Sequence, residues 1–162
     1  MRGRGTFALG LALLAAPGAA QEPVLDRIVV HKAARTMELI AGSRVVGVFR
    51  GIQLGGEPVG AKRFQGDRRT PEGHYTIDFG NPASGYRLAL HISYPQADDV
   101  ARARALGRAP GGAVFIHGQP NDWRGPGRVP GDWTDGCIAL GDDEIEALWR
   151  MTPDGTPIDI VP

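Results

Sequence analysis

The sequence predicts a mainly β domain in which an antiparallel or mixed sheet carries two peripheral helices. Short alternating or apolar runs recur between turn residues, and only two segments have helical spacing. A doubly wound parallel sheet requires strands that alternate regularly with helices, so that class is excluded. The 24 glycines and 13 prolines are interleaved with apolar runs, which is typical of a loop-rich β protein and not of a disordered chain.

The predicted strands are identified by period-two alternation or by short apolar runs. They lie at residues 27–32, 36–40, 44–54, 74–79, 86–95, 112–118 and 156–162. Within the third strand, Gly47 and Gly51 predict a bend or a bulge, because glycine in a strand interior marks irregular pairing. No internal repeat or low-complexity block interrupts this order.

Two helices are predicted from apolar residues at helical spacing. The first covers residues 96–107, where Val100, Ala103 and Leu106 recur on one face and Gly107 ends the helix. The second begins at Asp142, where acidic side chains favour capping and interact well with the helix dipole. Its apolar stripe comprises Ile145, Leu148 and Trp149.

Residues 1–20 have the pattern of a secretory signal peptide. Arg2 and Arg4 supply a positive start, residues 7–16 form an apolar run too short to span a bilayer, and small residues precede a cleavage position near Ala20. Residues 21–162 are then a single domain, since about 140 residues is a usual size for one hydrophobic core. The expected location is the periplasm or cell envelope.

The charge balance excludes binding to polyanions by electrostatic attraction. The chain has 18 basic and 18 acidic side chains, and loss of Arg2 and Arg4 leaves 16 basic side chains against 18 acidic ones. Nucleic acids and anionic membranes attract proteins through an excess of Lys and Arg, which this chain does not have. We therefore predict no nucleic-acid partner. We also predict no membrane span in the mature chain, because no segment after residue 20 approaches the roughly 20 apolar residues of a spanning helix.

Cys137 is the only cysteine of the chain, so it cannot form a disulfide within it. Three interpretations of Cys137 remain: an intermolecular disulfide, a buried inert thiol or a catalytic nucleophile. A structural metal site is set aside, because it needs about four ligands in paired spacings. Gly136 favours the nucleophile, since glycine permits a sharp turn. His117, at the end of an apolar strand, is the best candidate for the base that a thiol needs near neutral pH.

Two motifs together resemble the signature of the L,D-transpeptidase catalytic domain (YkuD) family. They are "FIHG", residues 115–118, and "TDGC", residues 134–137, which begins sixteen positions after Gly118. The upstream segments "GAKRFQGDRRTPEGHYTI" and "NPASGYRLALHISYP" are similar to the branch that contains small periplasmic enzymes. The resemblance covers roughly residues 27–162. It implies the family's mixed β-sandwich or barrel-like catalytic fold with two peripheral helices.

The resemblance also implies roles for the matching residues. Cys137 takes the position of the nucleophile, and His117 takes that of the base. The carbonyl of Gly118 would orient the histidine, and the amides of Gly136 and Cys137 would form the oxyanion hole. Thr134 takes the Ser/Thr position that shapes the turn. Two residues depart from the family pattern, Asp135 and Ala139, where many members have histidine and Arg or Asn.

Several residues are candidates for substrate binding, and for each of them a purely structural role is the alternative interpretation. Arg69 lies in a segment that is also a rigid turn, and His91 either lines the cleft or caps polar groups. Tyr94 either borders the donor site or packs in the core, and Trp133 either grips substrate or pins its loop. The candidate substrate-binding residues are Arg69, His91, Tyr94, Trp133, Thr134 and Asp135.

The function that the resemblance implies is L,D-transpeptidation of peptidoglycan stem peptides through a thioester, without cofactor or metal. The expected partner is a stem peptide with a diamino acid at its third position, and an added acceptor is a wall-anchored lipoprotein. Such chemistry serves peptidoglycan biosynthesis, cell wall organisation and cell shape. The alternatives are an L,D-carboxypeptidase, a hydrolase that releases wall-anchored protein, a non-catalytic wall-binding module and a redox protein with a lone thiol.

Overall fold

The computed structural model describes residues 22–162, so the predicted signal peptide lies outside the described residues. In this range eight strands form one sheet, and two helices flank it. The strands are β1 (Arg27–His31), β2 (Thr36–Ala41), β3 (Arg44–Arg50), β4 (Gly73–Asn81), β5 (Ala89–Ile92), β6 (Phe115–His117), β7 (Ile138–Ala139) and β8 (Thr156–Val161). The helices are α1 (Ala97–Ala105) and α2 (Asp142–Met151).

The sheet is mixed, as the sequence predicts. Its strand order is β3-β2-β1-β8-β4-β5-β6-β7, and the pairs β1–β8 and β6–β7 are parallel while the others are antiparallel. The last strand of the chain therefore enters the middle of the sheet, between β1 and β4. Ile158 of β8 pairs with Ile28 on one side and with Tyr75 on the other.

The predicted third strand, residues 44–54, is wrong in its last four residues. β3 ends at Arg50, and Gly51 has φ +65°, a left-handed conformation that ends the extended run. Beyond this turn, Gln53 makes an antiparallel bridge to Ala139 at the opposite edge of the sheet. The segment that leaves one edge strand thus covers the other edge strand, which gives the sheet its barrel-like curvature.

The predicted irregularity in β3 is confirmed. Leu39 of β2 pairs with Gly47, and Ile40 pairs with Val45, so one residue of β3 is left over as a bulge. Two other predicted strands are shorter in the structure, because β5 and β6 occupy only the parts of residues 86–95 and 112–118 that find a neighbour. β7 has two residues and was not predicted.

The core lies between the inner face of the sheet and α2. Ile145 and Leu148 of α2 are fully buried, and Trp149 packs partly buried against the core, which confirms the predicted stripe. The helix begins at Asp142 as predicted, and Glu144 accepts a hydrogen bond from the Gly141 amide at 2.9 Å. Within residues 22–162, no helix is long and apolar enough to cross a membrane.

A buried lysine fastens the long connection between β3 and β4. Lys32 is 2% exposed, and its Nζ donates to the carbonyls of Gly60 at 2.7 Å and Thr70 at 3.1 Å. The same ammonium makes an ion pair with Glu72 Oε1 at 2.7 Å. All three donors of the ammonium are used, so the buried charge is fully hydrogen-bonded. This connection packs against the functional site described below.

The buried central strand provides a test of the fold. We expect Ile158→Ala to lower the free energy of unfolding by about 2–5 kcal/mol, because it leaves a cavity where β8 packs in the core. The measurement is urea denaturation. Val45→Ala on the exposed side of β3 is the control, expected to change stability by less than about 0.5 kcal/mol. Equal losses in both variants would contradict the assigned core.

Candidate active site around Cys137 and His117

The pairing of β6 with β7 brings His117 and Cys137 to the same face of the sheet. Ile116 lies opposite Ile138, and His117 lies opposite Ala139. Because directly opposed residues share a face and successive residues alternate, Cys137 lies on the face of His117. The two isoleucines point the other way and are fully buried. Both functional side chains line one cavity of about 580 Å³.

His117 is held in one tautomer by its neighbour. Its Nδ1 lies 2.7 Å from the carbonyl oxygen of Gly118, and a carbonyl can only accept, so Nδ1 carries the proton. Nε2 then keeps a free lone pair and is available as a base. Burial lowers the pKa of His117, which is 4% exposed, and the hydrogen bond to Gly118 only partly opposes this shift. The imidazole is therefore neutral near neutral pH.

Gly118 is at its position for a packing reason as well. A Cβ at this residue would lie 2.7 Å from Asp142 Oδ1 and 2.8 Å from Arg87 Cβ, too close for any side chain. Its amide donates to the carbonyl of Tyr86 at 2.9 Å. The glycine thus lets the strand end pack against the start of α2, and its carbonyl stays fixed on the histidine.

Two aromatic rings enclose the imidazole. The centroid of Tyr86 lies 4.6 Å from that of His117, and the centroid of Trp133 lies 5.6 Å from it. The Nε1 of Trp133 is buried and has no hydrogen-bond partner within residues 22–162. These rings pack against the imidazole and limit its motion.

Thr134 shapes the turn before the thiol, as the resemblance implies. Its hydroxyl donates to the carbonyl of Cys137 at 2.7 Å and accepts from the amide of Gly136 at 3.1 Å. Gly136 has φ +136°, and a Cβ there would lie 2.7 Å from the carbonyl oxygen of Arg69. The position therefore accepts only glycine.

The two amides of the expected oxyanion hole have different contacts in this structure. The Gly136 amide is engaged by the Thr134 hydroxyl, because a threonine accepts readily from the amide two residues later. The Cys137 amide makes no hydrogen bond within residues 22–162. Only the Cys137 amide is thus free, in this arrangement, to meet negative charge on a substrate oxygen.

The thiol of Cys137 is neutral at rest. Burial raises the pKa of Cys137, and the nearby Asp135 carboxylate adds to the shift. The Phe115 amide, which donates to Sγ at 3.4 Å, and the Lys62 ammonium oppose it. The resting pair is a neutral thiol and a neutral imidazole, so the thiolate requires transfer of its proton to a base.

A second cavity of about 410 Å³ also contacts the thiol, and it shares Ala113, Asp135 and Cys137 with the first. The first cavity is lined by Asn81, Ala83, Ser84, Gly85, Tyr86, Ala89, Ala113, Phe115, His117, Trp133, Thr134, Asp135 and Cys137. The second is lined by Lys62, Gln65, Gly66, Arg68, Gly111, Gly112, Ala113, Val114, Asp135, Gly136 and Cys137. The thiol is therefore accessible from two directions.

Asp135 stands at the border of the two cavities. Its side chain is 91% exposed and lies 3.4 Å from Nε of Arg68. Such an exposed pair adds little to stability, so the carboxylate is free to meet a substrate. Thr134 and Trp133 also line the first cavity, so three of the six candidate substrate-binding residues lie at the thiol.

The other three candidates lie outside both cavities. Arg69 donates through its side chain to the Val59 carbonyl, and only its own carbonyl oxygen approaches the turn of the thiol. His91 pairs with Asp78 at 2.6 Å and stacks on Phe79. Tyr94 is buried and donates to the Pro110 carbonyl at 2.9 Å. In this structure each of the three side chains contacts groups of the protein itself.

Three site residues were not singled out by the sequence. Phe115 lies two residues before His117 on one strand, so period-two alternation was the signal for its position beside the thiol. Tyr86 and Lys62 reach the site from distant parts of the chain, and no local pattern marks them. Within residues 22–162, no cluster of three or more His, Cys, Asp or Glu side chains has the arrangement of a metal site.

The connection from His117 to Cys137 is fastened by buried amides. Gln119 Nε2 donates to the Leu140 carbonyl at 2.6 Å and to Gln53 Oε1 at 3.1 Å. Gln119 Oε1 accepts from the Val129 amide at 2.8 Å, and Gln53 donates to the Gly131 carbonyl at 2.5 Å. These bonds hold the base of the loop against the sheet, so Trp133 stays beside the imidazole.

Comparison with known proteins identifies similar domains. The L,D-transpeptidase catalytic domain family (YkuD) matches residues 25–160. No curated protein sequence matches the chain. The solved structures it resembles include the helical cell shape determining protein Pgp2 (K307A mutant) from Campylobacter jejuni, at 24% identity and a TM-score of 0.68, covering 86% of this chain and 48% of that one.

Two further structures show the same fold. Bd1075 from Bdellovibrio bacteriovorus is 21% identical with a TM-score of 0.59, covering 87% of this chain and 51% of that one. An L,D-transpeptidase from Mycobacterium smegmatis is 17% identical with a TM-score of 0.54, covering 84% of this chain and 58% of that one. The chain thus spans about half the length of the solved proteins it matches.

The Thr134 hydroxyl gives a test of the turn. We expect Thr134→Val to lower the free energy of unfolding by about 1–3 kcal/mol, because it leaves the Gly136 amide and the Cys137 carbonyl without a partner. Urea denaturation measures the loss. The matched control is Thr152→Val, since the buried hydroxyl of Thr152 has no partner within residues 22–162. If Thr134→Val loses no more stability than Thr152→Val, the two hydrogen bonds of the Thr134 hydroxyl do not stabilise the turn.

The thiol gives a second test through its pH dependence. Only the thiolate reacts with iodoacetamide, so the raised pKa of Cys137 is expected to place the midpoint of the rate above that of an ordinary thiol. His117→Ala should slow alkylation near neutral pH, because the base is lost. His74→Ala, on the exposed side of β4, is the control. A rate independent of His117 would indicate an inert thiol.

Proposed function

Because the chain belongs to the L,D-transpeptidase catalytic domain (YkuD) family, we propose that it is a cysteine acyltransferase acting on peptidoglycan stem peptides. In this proposal Cys137 is the nucleophile and His117 is the general base. The observation that carries it is the position of both side chains in one cavity, on one face of the sheet. The Gly118 carbonyl, which leaves Nε2 of His117 free, supports the same assignment.

The first half-reaction forms a thioester. The thiol proton of Cys137 passes to Nε2 of His117, and Sγ attacks the carbonyl carbon of the third stem residue, a diamino acid. The carbonyl electrons move onto its oxygen, which the free Cys137 amide stabilises. When the tetrahedral intermediate collapses, the bond to the terminal D-residue breaks and His117 donates its proton to the leaving amine. The acyl group then remains on Cys137.

The second half-reaction repeats these steps with an acceptor. An amine of another stem gives a cross-link, a lysine side chain of a lipoprotein gives an anchor, and water gives trimming. His117 removes a proton from the acceptor, and the sulfur leaves as the thiol. The second opening at Cys137 supports an acceptor that approaches from the side opposite the acyl group. The carboxypeptidase and the anchor-releasing hydrolase remain alternatives within this scheme.

The proposed place of the reaction is the periplasm or cell envelope, where the substrate lies. The pattern of residues 1–20 supports export, and we propose that they are a signal peptide removed before residue 21. The mature chain would then be one catalytic domain that uses neither a cofactor nor a metal. We propose an added role in cell shape, because cross-linking of stem peptides alters the mechanics of the wall.

Product analysis tests the proposed reaction. Incubation of the mature protein with disaccharide tetrapeptide is expected to give a cross-linked dimer, a tripeptide or an exchange product, identified by mass spectrometry. Cys137→Ala should lower product formation on the order of 10³-fold or more, because the thioester cannot form. Val45→Ala, remote from the site, is the control and should leave product formation unchanged. Product that persists in Cys137→Ala would overturn the mechanism.

The identity of the product separates the alternatives. Dimer formation, or attachment of an added lipoprotein C-terminal peptide, supports transpeptidation. Tripeptide alone supports a carboxypeptidase, and release of peptide from a pre-formed anchor supports the hydrolase. Binding of the tetrapeptide without any product would favour the non-catalytic wall-binding module.

A further inference from the structure

A buried ammonium lies directly beneath the turn that carries the thiol. Lys62 is 4% exposed, and its Nζ lies 3.5 Å from the position that a Cβ on Gly136 would occupy. It belongs to the connection between β3 and β4, whose Arg69 carbonyl also contacts this turn. Lys62 lines the second cavity together with Gly136 and Cys137. His117 lines only the first cavity, so the two side chains approach the thiol from different sides.

The ammonium of Lys62 is not fully used by the protein. It donates to Asp67 Oδ1 at 2.9 Å, and it makes no other hydrogen bond within residues 22–162. Lys32, the other buried lysine of this region, uses all three of its donors. A buried ammonium with free donors is costly unless a further negative group meets it. Because Lys62 lines the second cavity beside Cys137, a negative group that enters this cavity can accept from its remaining donors.

The partner of Lys62 is itself strongly stabilised. Burial alone would raise the pKa of Asp67, but the amides of Arg63, Phe64 and Arg69 and the Lys62 ammonium together hold it below its usual value. The carboxylate is thus ionised, and four donors share its charge. Asp67 fixes the position of the Lys62 ammonium but neutralises it only in part, so the positive charge still acts on the turn at Gly136 and Cys137.

We propose that Lys62 stabilises the negative charge that develops at Cys137 and on the substrate oxygen during acyl transfer. The need for such a charge follows from the turn itself. The Thr134 hydroxyl engages the Gly136 amide, so of these two amides only that of Cys137 is free to donate to an oxyanion. In this proposal a fixed positive charge close to the turn takes the place of the second amide donor.

The other charged groups around the thiol are consistent with this role. Asp135 faces it from the same turn and disfavours negative charge, and Arg68 offsets Asp135 from the rim. His117 is neutral at rest. The Lys62 ammonium lowers the pKa of Cys137 against the larger effect of burial. Lys62 is thus the cation whose field favours the thiolate before the imidazole is protonated.

The test compares the pH dependence of thiol alkylation in the mature protein. Lys62→Met keeps the length of the side chain and removes its charge. We expect the alkylation midpoint to move to higher pH and the rate with iodoacetamide near neutral pH to fall about tenfold, which corresponds to about one pKa unit. With tetrapeptide as substrate, kcat should fall while KM changes little, because the charge acts in the transition state.

Lys32→Met is the matched control. It removes a second buried ammonium, which lies just after β1 and holds the same β3–β4 connection, without removing the charge beneath Gly136. We expect a loss of thermal stability and an unchanged alkylation midpoint. An equal shift of the midpoint in Lys32→Met and Lys62→Met would overturn the proposal.

A double variant removes the remaining ambiguity. Lys62→Met alone leaves Asp67 buried and unpaired, which can unfold the loop or repel the thiolate. Lys62→Met with Asp67→Asn removes both charges, and we expect it to keep most of the shift. Return of the wild-type midpoint in the double variant would overturn the proposal.

The inference rests on the proposed function, but the two fail in different ways. A wild-type protein that makes no product from tetrapeptide refutes the function. A wild-type protein that makes product, with an alkylation midpoint unchanged by Lys62→Met, refutes only the role of Lys62.

Discussion

The parallel pairing of β6 with β7 is the interaction on which the site depends. It contains only two residue pairs, yet it fixes which face of the sheet His117 and Cys137 share. The buried side chains of Ile116 and Ile138 hold it in register, because a slip by one residue would turn the thiol toward the core. The bridge from Gln53 to Ala139 covers the other side of β7 and prevents such a slip.

Around this pairing the chain builds a site whose groups are neutral at rest. Burial raises the pKa of Cys137 and lowers that of His117, so both changes oppose a stable ion pair. In the proposed mechanism the pair becomes charged only when Cys137 transfers its proton to His117 during attack on a substrate. The Phe115 amide and the Lys62 ammonium offset part of the cost of the thiolate. The site thus holds the Cys137 thiol and the His117 imidazole in fixed positions without a permanent thiolate–imidazolium ion pair.

The sequence predicted the elements that have a strong local period and missed those that do not. Strands β1, β2, β4 and β8 and both helices lie where the patterns placed them. The extension of β3 to residue 54 was wrong, because apolar residues after Gly51 are buried against β7 and not within β3. β7 was missed, since two residues carry no periodicity and acquire their strand form from pairing alone.

The sequence by itself determined which residues are the candidates for nucleophile and base. A lone cysteine after Gly136, and a histidine before Gly118, are set by residue identity and local backbone freedom. Only the tertiary structure decided which groups surround them. It brought Lys62 beneath a turn more than seventy positions further along the chain and left Tyr94 in the core. Contacts between such distant positions arise from packing, which no local pattern encodes.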